Sequence, residues 1–250
     1  MNNLIVSLSN VSKTYLIRDY SNRTIKSSIK NIFKKTKKQK VKALKNINLE
    51  IKKGERVGII GRNGSGKSTL LNIIMGSLTP EKGGTVITQG SMMKLSLGMG
   101  MDPNLTAREN IYVNGSVIGL SFKKIGIFFD EIIAFAEIEE FVDTPVKFFS
   151  SGMKQRLMFS IALYAKADTF LLDEFFGGTG DKNFRLKSDK AFTQHIIENH
   201  TVIIVSHSMA IISKYCTKVV WLEKGIMKAN GPANEIINLY NEHDYNKNIN

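Results

Sequence analysis

The sequence feature that most constrains this chain is a glycine-rich stretch placed between an apolar strand and an apolar helix. Val57 to Ile60 has the β-branched content of a buried parallel strand, and the residues that follow read GRNGSGKST. This is the GxxxxGK[ST] pattern of a phosphate-binding loop, whose backbone N–H groups bind the β-phosphate at a helix N-terminus. Lys67 would reach the β and γ oxygens, and the Ser68 hydroxyl would ligate Mg²⁺. The stretch therefore predicts a site for a nucleoside triphosphate.

Composition limits what surrounds this loop. With 250 residues, 42% of them hydrophobic, we expect one α/β domain that includes a helical subdomain. The single cysteine, Cys216, excludes a disulfide framework and favours a reducing compartment. The N-terminal residues lack the pattern of a signal peptide, and no run approaches the ~20 apolar residues of a membrane-spanning helix. We therefore expect a cytoplasmic protein whose membrane contact, if any, is peripheral.

The positive charge of the chain is concentrated in one segment. The formal net charge is +13, and residues 18–42 alone hold ten basic residues against one acidic residue. Four apolar residues in this segment are spaced to share one face of a helix, namely Ile25, Ile29, Ile32 and Phe33. Two interpretations stay open. The helix docks on its own domain within a solvated loop, or residues 25–40 lie at the cytoplasmic membrane surface and meet anionic lipid.

Strand and helix patterns alternate along the chain, which predicts an α/β fold with a largely parallel sheet wrapped by helices. The predicted strands include Leu4 to Leu8, Ala43 to Ile51, Thr169 to Leu172 and Val202 to Val205, with two short strands around Gly90. The predicted helices include one long helix from Ser150 or Ser151 to Ala167, then Asp181 to Glu198, Ser208 to Tyr215, and Pro232 to Tyr240. We expect one domain over residues 1–241, with 18–42 as a basic insertion, about 105–165 as a helical subdomain and 242–250 as a polar tail.

An acidic pair ends one of the apolar strands. In FLLDE, Asp173 could hold Mg²⁺ through water, while Glu174 could polarise an attacking water. A solvated turn would explain an isolated acidic pair equally well. The pair becomes informative because two further motifs accompany it: Gly152 lies 21 residues before Asp173, and His207 lies 34 residues after it.

Those two motifs are FSSGMKQR and the histidine after strand TVIIVS. Ser150 and Gly152 at a helix start would turn N–H groups toward an anion, although an ordinary N-cap has the same appearance. His207 ends a strand on the side where the phosphates would lie, although a lone histidine is more often structural. Neither motif identifies a function alone.

In order and spacing, the four motifs resemble the ATP-binding subunits of ABC transporters. GRNGSGKST resembles their Walker A motif, FSSGMKQR their signature motif, FLLDE their Walker B motif and SHS their switch histidine. The resemblance implies an ABC-type P-loop ATPase fold, with an antiparallel β subdomain and a helical subdomain beside a mostly parallel core sheet. It also implies ATP and Mg²⁺ as cofactors. Tyr15 would stack on adenine, and the phosphates would meet Gly61, Asn63, Gly64, Gly66, Lys67, Ser68 and Thr69.

The resemblance further implies a head-to-tail homodimer in which two subunits share each ATP. Nucleotide bound to Lys67 of one subunit would be completed by Ser150 and Gly152 of the other, and Asp181 would contact the partner across the dimer. The implied catalytic residues are Glu174, which positions water, and His207, which holds the γ-phosphate; the implied metal ligands are Ser68 and Asp173.

Three longer stretches are similar to the polysaccharide exporters within this family. They are PNLTAREN with IYVNGSVIGLS, then PVKFFSSGMKQRL, and YCTKVVWLEKG, with SSGM where other transporters have SGGQ. The similarity implies an ATPase at the cytoplasmic face of the cell (inner) membrane, which powers export of a lipid-linked polysaccharide through a separate permease. Its cargo would be capsular polysaccharide, O-antigen or teichoic acid. An exporter of another cargo, such as a drug or a lipid, is the alternative.

One departure from the family pattern and one rival class bear on this interpretation. Most ABC ATPases place a glutamine shortly before a segment like PNLTAREN, but here that neighbourhood holds Ser96 and Leu97. If Leu97 occupies the position of that glutamine, the loop supplies no side-chain ligand to Mg²⁺. Alternatively, Leu97 is a packing residue. Chromosome and repair ATPases of the ABC type insert long coiled coils before the signature motif, and the 89 positions from Gly61 to Ser150 are too few for them. We therefore expect no nucleic-acid partner.

Overall fold

The computed structural model describes residues 3–18, 38–95, 100–175 and 182–249. The strands are β1 (Leu4–Arg18), β2 (Lys38–Lys52), β3 (Arg56–Ile60), β4 (Thr85–Thr88), β5 (Met92–Leu95), β6 (Thr169–Asp173), β7 (Thr201–Val205), β8 (Lys218–Glu223) and β9 (Ile226–Pro232). The helices are α1 (Lys67–Ile74), α2 (Ala107–Val117), α3 (Phe122–Ala136), α4 (Ser151–Ala162), α5 (Lys182–Phe192), α6 (Met209–Tyr215) and α7 (Ala233–Ile249).

A six-stranded sheet in the order β5-β6-β7-β3-β8-β9 forms the centre of the fold. All neighbouring pairs are parallel except β8 and β9, which form a hairpin. Successive residues of its strands alternate between two apolar cores, as in a sheet that is covered on both faces. Leu171 and Ile203 face one core, while Phe170 and Ile204 face the other. The register pairs Asp173 with Val205, so the carboxyl ends of neighbouring strands lie at one edge.

Different layers cover the two faces of this sheet. Helix α1 and a three-stranded antiparallel sheet, in the order β2-β1-β4, enclose the first core. Helices α4, α5, α6 and α7 contribute apolar residues to the second core, for example Phe159, Phe192 and Ile236. The observed architecture confirms the predicted mostly parallel core sheet with an antiparallel β subdomain.

A helical subdomain built on α2, α3 and α4 has its own apolar core, which includes Ile111, Ile132 and Leu157. Helix α2 begins with a capping box: the Thr106 hydroxyl accepts from the Glu109 N–H, and the Glu109 carboxylate accepts from the Thr106 N–H at 2.8 Å. The cap fixes where α2 begins, and α4 then connects this subdomain to the central sheet.

Several predicted boundaries were wrong. β1 does not end at Leu8 but continues to Arg18, because β2 pairs with it along its length down to Lys38. Both strands enter the predicted basic insertion, so residues 18 and 38–42 belong to the sheet. Helix α4 ends at Ala162 instead of Ala167, while α7 continues past Tyr240 to Ile249 and so includes most of the predicted polar tail.

Some predictions concern residues outside the described ranges. They are the helix over Ile25, Ile29, Ile32 and Phe33, most of the proposed membrane contact over residues 25–40, the loop position of Ser96 and Leu97, and Asp181. Among the helices of the described ranges, none has both the length and the apolar character required to cross a membrane.

Candidate functional site

The loop between β3 and α1 takes a course that requires glycine at two positions. Gly61 has φ of +144°, and a Cβ added there would lie 2.1 Å from the carbonyl oxygen of Leu222. Gly66 has φ of +110°, and its Cβ would lie 2.5 Å from the carbonyl oxygen of Ala43. Among the described residues, no side chain caps α1 at Gly66. The loop thus leaves the N-terminal turn of α1 available to an anion.

Lys67 lies at the start of α1 and is almost fully buried, with 7% of its surface exposed. Its ammonium donates to the carbonyl oxygens of Gly61 at 2.6 Å and Arg62 at 3.2 Å. Burial lowers the pKa of Lys67, and the nearby carboxylates of Glu174 and Asp173 partly oppose that effect. A partly desolvated cation held by carbonyl groups beside a helix N-terminus is suited to binding phosphate oxygens.

A cleft of about 560 Å³ brings most of the predicted site residues together. It opens where the carboxyl ends of β3, β6 and β7 meet, which is the edge at which ligands bind in α/β sheets. The predicted residues that line it are Asn63, Gly64, Gly66, Lys67, Ser68, Thr69, Asp173, Glu174 and His207.

Glu174 and His207 form a pair at the rim of this cleft. The Nε2 atom of His207 lies 3.3 Å from Oε1 of Glu174, and each side chain is about half exposed. Glu174 has φ of +51°, and its N–H donates to the carbonyl oxygen of Val205 at 3.0 Å. A residue other than glycine rarely adopts this conformation, and such residues concentrate at functional sites. The arrangement places a carboxylate that can accept a proton beside an imidazole that can orient it.

The same cleft has the oxygen ligands that Mg²⁺ prefers. The Ser68 hydroxyl and the Asp173 carboxylate both line it beside Lys67. Among the described residues, no three His, Cys, Asp or Glu side chains are grouped closely enough to cage a metal. Mg²⁺ usually binds through one or two carboxylates together with water and substrate phosphates, so this donor set suits Mg²⁺ bound with ATP.

Other predicted residues are not among those that line the cleft. Tyr15 lies on β1, and its hydroxyl is 3.4 Å from Oγ1 of Thr69. Ser150 caps α4 by accepting from the Met153 N–H at 3.2 Å, and neither Ser150 nor Gly152 lines the cleft of its own chain. Asp181 is outside the described residues.

The sequence-based prediction missed four lysines near the phosphate loop. Lys42, Lys45 and Lys224 line the cleft, and Lys94 on β5 forms an ion pair with Asp173, with Nζ 2.9 Å from Oδ2. A charged residue within the short apolar run MMKL was the only sequence signal that singled out Lys94. The signal does not identify the partner, Asp173, which lies 79 positions later. Only the pairing of β5 with β6 reveals that contact.

Comparison with known proteins agrees with this geometry. The sequence matches the ABC transporter family over residues 44–177. The O-antigen export system ATP-binding protein RfbB of Klebsiella pneumoniae is 37% identical over 242 residues, which cover 95% of this chain and 98% of that protein. The teichoic acids export ATP-binding protein TagH of Lactococcus lactis is 43% identical over 198 residues, which cover 79% of this chain and 42% of that protein.

One solved structure is also similar in fold. A dimeric ATP-binding cassette in a post-hydrolysis state, bound to ADP and Pi, matches with a TM-score of 0.67 and 25% identity, over 91% of this chain and 98% of that one. The sequence match and the near-complete alignment with RfbB support the same assignment as the fold. The chain therefore belongs to the ABC transporter family and is one of its ATP-binding subunits, an ATPase.

Proposed function

We propose that this ATPase powers the export of a cell-surface polysaccharide, of the O-antigen or teichoic acid class, through a separate membrane permease. The observation that carries the proposal is the alignment with an O-antigen export ATP-binding protein over nearly the whole length of both chains. The similarity to a teichoic acids export protein supports the same class of cargo. In this proposal the subunit acts at the cytoplasmic face of the cell membrane, has no nucleic-acid partner and never contacts the polymer directly.

Within the site we assign each residue a role in hydrolysis. Lys67 and the first turn of α1 hold the β- and γ-phosphates, while Tyr15 stacks on adenine. Ser68 and Asp173 hold Mg²⁺, which neutralises charge on the phosphates when it is bound. Glu174 takes the proton of the attacking water, and His207 orients Glu174 and contacts the γ-phosphate. The 3.3 Å contact between His207 and Glu174 supports this last assignment.

We also propose that ATP is bound between two subunits arranged head to tail. Ser150 and Gly152 do not line the cleft of their own chain. Among the described residues, a Cβ added at Gly152 would meet only Oγ of Ser150, at 3.8 Å, so they give no steric reason for glycine. A phosphate from the partner's site approaching the start of α4 would supply that reason. Asp181 would then contact the partner across the same interface.

Deleting the gene for this protein in its native host tests the proposed identity of the cargo. We expect the surface polymer to disappear while its lipid-linked precursor accumulates inside, as measured by sugar analysis of surface and membrane fractions. Re-expressing the wild type should restore export, and re-expressing the Glu174→Gln variant should not. Unchanged surface polymer, together with a new sensitivity to drugs or a change in membrane lipid, would contradict polysaccharide export.

A further inference from the structure

Lys94 and Asp173 meet because their strands are neighbours and their side chains lie on the same face of the sheet. In the register of β5 and β6, Lys94 pairs with Leu171, and Asp173 lies two residues further along the same strand. Side chains two residues apart on a strand share a face. Lys94 therefore reaches forward to Asp173 on the face of the sheet that packs against α1. Leu171 and Met92 lie on that face.

The contact is a close and shielded ion pair. Nζ of Lys94 is 2.9 Å from Oδ2 of Asp173, and the two side chains are 23% and 18% exposed. Partial burial makes a charge pair stronger than one on an open surface, because fewer water molecules screen it. Asp173 also lines the cleft that contains Lys67. Its negative charge is thus already paired with the Lys94 ammonium before any metal binds.

This arrangement bears on metal binding, since Asp173 is also the carboxylate that lines the phosphate cleft beside Ser68. Mg²⁺ requires oxygen ligands at about 2.0–2.1 Å in near-octahedral geometry. An ammonium that keeps its hydrogen bond to the same carboxylate neutralises the charge that attracts the metal and repels the metal directly.

We propose that Lys94 is a resident counter-ion of Asp173 that competes with the divalent cation for this carboxylate, and so limits how strongly metal and ATP bind together. Mg²⁺ entering with ATP would meet a carboxylate whose Oδ2 is already bound by the Lys94 ammonium, so the two cations compete for its charge. The inference rests on the proposed metal role of Asp173, and the experiment below separates the two.

The test compares the affinity of a non-hydrolysable ATP analogue in Mg²⁺ with its affinity in EDTA, measured by calorimetry on the full chain. The dissociation constant in EDTA divided by that in Mg²⁺ reports the coupling between metal and nucleotide, independently of catalysis. A larger ratio means stronger coupling. Lys94→Met removes the charge but keeps the length and apolar stem. Lys94→Arg keeps the charge and is the matched control. Thermal melting of each variant checks that it is folded.

For Lys94→Met we expect the metal coupling to increase roughly tenfold, which corresponds to about 1.4 kcal/mol, while Lys94→Arg stays close to the wild type. An unchanged ratio in Lys94→Met would overturn the inference, because the ion pair would then have no influence on metal binding. A lower ratio would also overturn it and would show that Lys94 orients Asp173 for the metal.

Asp173→Asn separates this inference from the proposed metal site. We expect this variant to lose most of the metal coupling. If it retains the wild-type ratio, Asp173 does not serve the metal and the proposed site is wrong. If Asp173→Asn loses the coupling but Lys94→Met leaves it unchanged, only the role of Lys94 is wrong.

Discussion

In the proposed mechanism, Glu174 and His207 are the residue pair on which hydrolysis depends most directly. The carboxylate lies within 3.3 Å of the imidazole, and the chain turns sharply at Glu174 directly after Asp173. In our proposal that turn separates two neighbouring carboxylates, so that Asp173 serves the metal and Glu174 serves the attacking water. Loss of the Glu174 carboxylate would then leave nucleotide binding intact.

Glu174→Gln should therefore retain ATP binding and lose turnover. Glutamine keeps the shape of the side chain but cannot accept the proton of water, so we expect phosphate release to slow by roughly 10²–10⁴. Phosphate release and nucleotide affinity are measured on the same preparation. Glu198→Gln, at an exposed glutamate far along the chain, is the control and should have wild-type turnover. Near-normal turnover of Glu174→Gln would remove this residue from the mechanism.

Lys67 combines a benefit for binding with a cost for folding. Because burial lowers its pKa, the charged form is less favourable in the folded chain than in the unfolded chain. We expect Lys67→Met to raise the melting temperature of the nucleotide-free protein. At an ATP concentration of about 100 Kd the wild type should gain about 2.7 kcal/mol, or roughly 5–10 °C, and the variant should gain almost nothing.

Differential scanning fluorimetry with and without ATP measures both effects on Lys67→Met. Lys224→Met is a useful comparison, since Lys224 lines the same cleft at the β8–β9 turn without being at the start of α1. A large fall in the melting temperature of nucleotide-free Lys67→Met would show that its hydrogen bonds to Gly61 and Arg62 outweigh its desolvation. A retained ATP shift would contradict its role at the phosphates.

At the scale of whole elements, the start of α4 serves the helix and, in our proposal, the partner's nucleotide. Ser150 caps the helix in the single chain. Ser150→Asp separates the two roles, because aspartate is an equally good N-cap and its charge suits a helix N-terminus, yet it would repel a phosphate. We expect wild-type or higher thermal stability, wild-type binding of ATP to the monomer, and loss of ATP-driven dimerisation.

Ser150→Ala completes that comparison. It should lose about 1 kcal/mol of stability together with the cap, while placing no charge at the interface. If Ser150→Asp dimerises with ATP as the wild type does, measured by light scattering, the start of α4 does not meet a phosphate and the motif is only a cap.

Local sequence patterns predicted the presence of strands and helices better than the residues at which they begin and end. Val57 to Ile60 and Phe170 to Leu172 are continuous apolar runs, and both lie in inner strands of the sheet because such runs can be buried on two faces. β1 and β2 are longer than predicted because each is the hydrogen-bonding partner of the other, and pairing extends through polar residues that carry no strand signal. The same limit explains why the contact of Lys94 with Asp173 could not be predicted.

In the predicted site, too, local features were predicted from the sequence, and contacts between distant segments were not. The phosphate loop is contiguous in sequence, so its spacing alone predicted Lys67 and Ser68, which both line the cleft. Asp173, Glu174 and His207 are distant in sequence from the phosphate loop. Their place in the same site was predicted from the resemblance to a family, and the parallel strands of the sheet explain it. Lys42 and Lys45 were missed because their position at the cleft depends on β2 passing beside the loop, which no local pattern indicates.

At the scale of the whole molecule, the central proposal is that ATP joins two copies of this chain. The phosphate cleft lies at one edge of the central sheet, and the start of α4 belongs to the helical subdomain. Lys67 and Ser150 of one chain would then belong to two different nucleotide sites. This arrangement has a consequence that a site contained in one subunit cannot reproduce.

The most direct test mixes two defective subunits, Lys67→Ala and Ser150→Asp, each also carrying Glu174→Gln to prevent hydrolysis. The mixed dimer would have one intact site, formed by Lys67 of the Ser150→Asp subunit and Ser150 of the Lys67→Ala subunit. Glu174→Gln alone is the control and should form a dimer with two bound ATP. Mass by light scattering and bound nucleotide are measured with ATP and Mg²⁺. We predict that each variant alone stays monomeric and that the mixture forms dimers with one ATP; a mixture that remains monomeric would contradict the head-to-tail shared site.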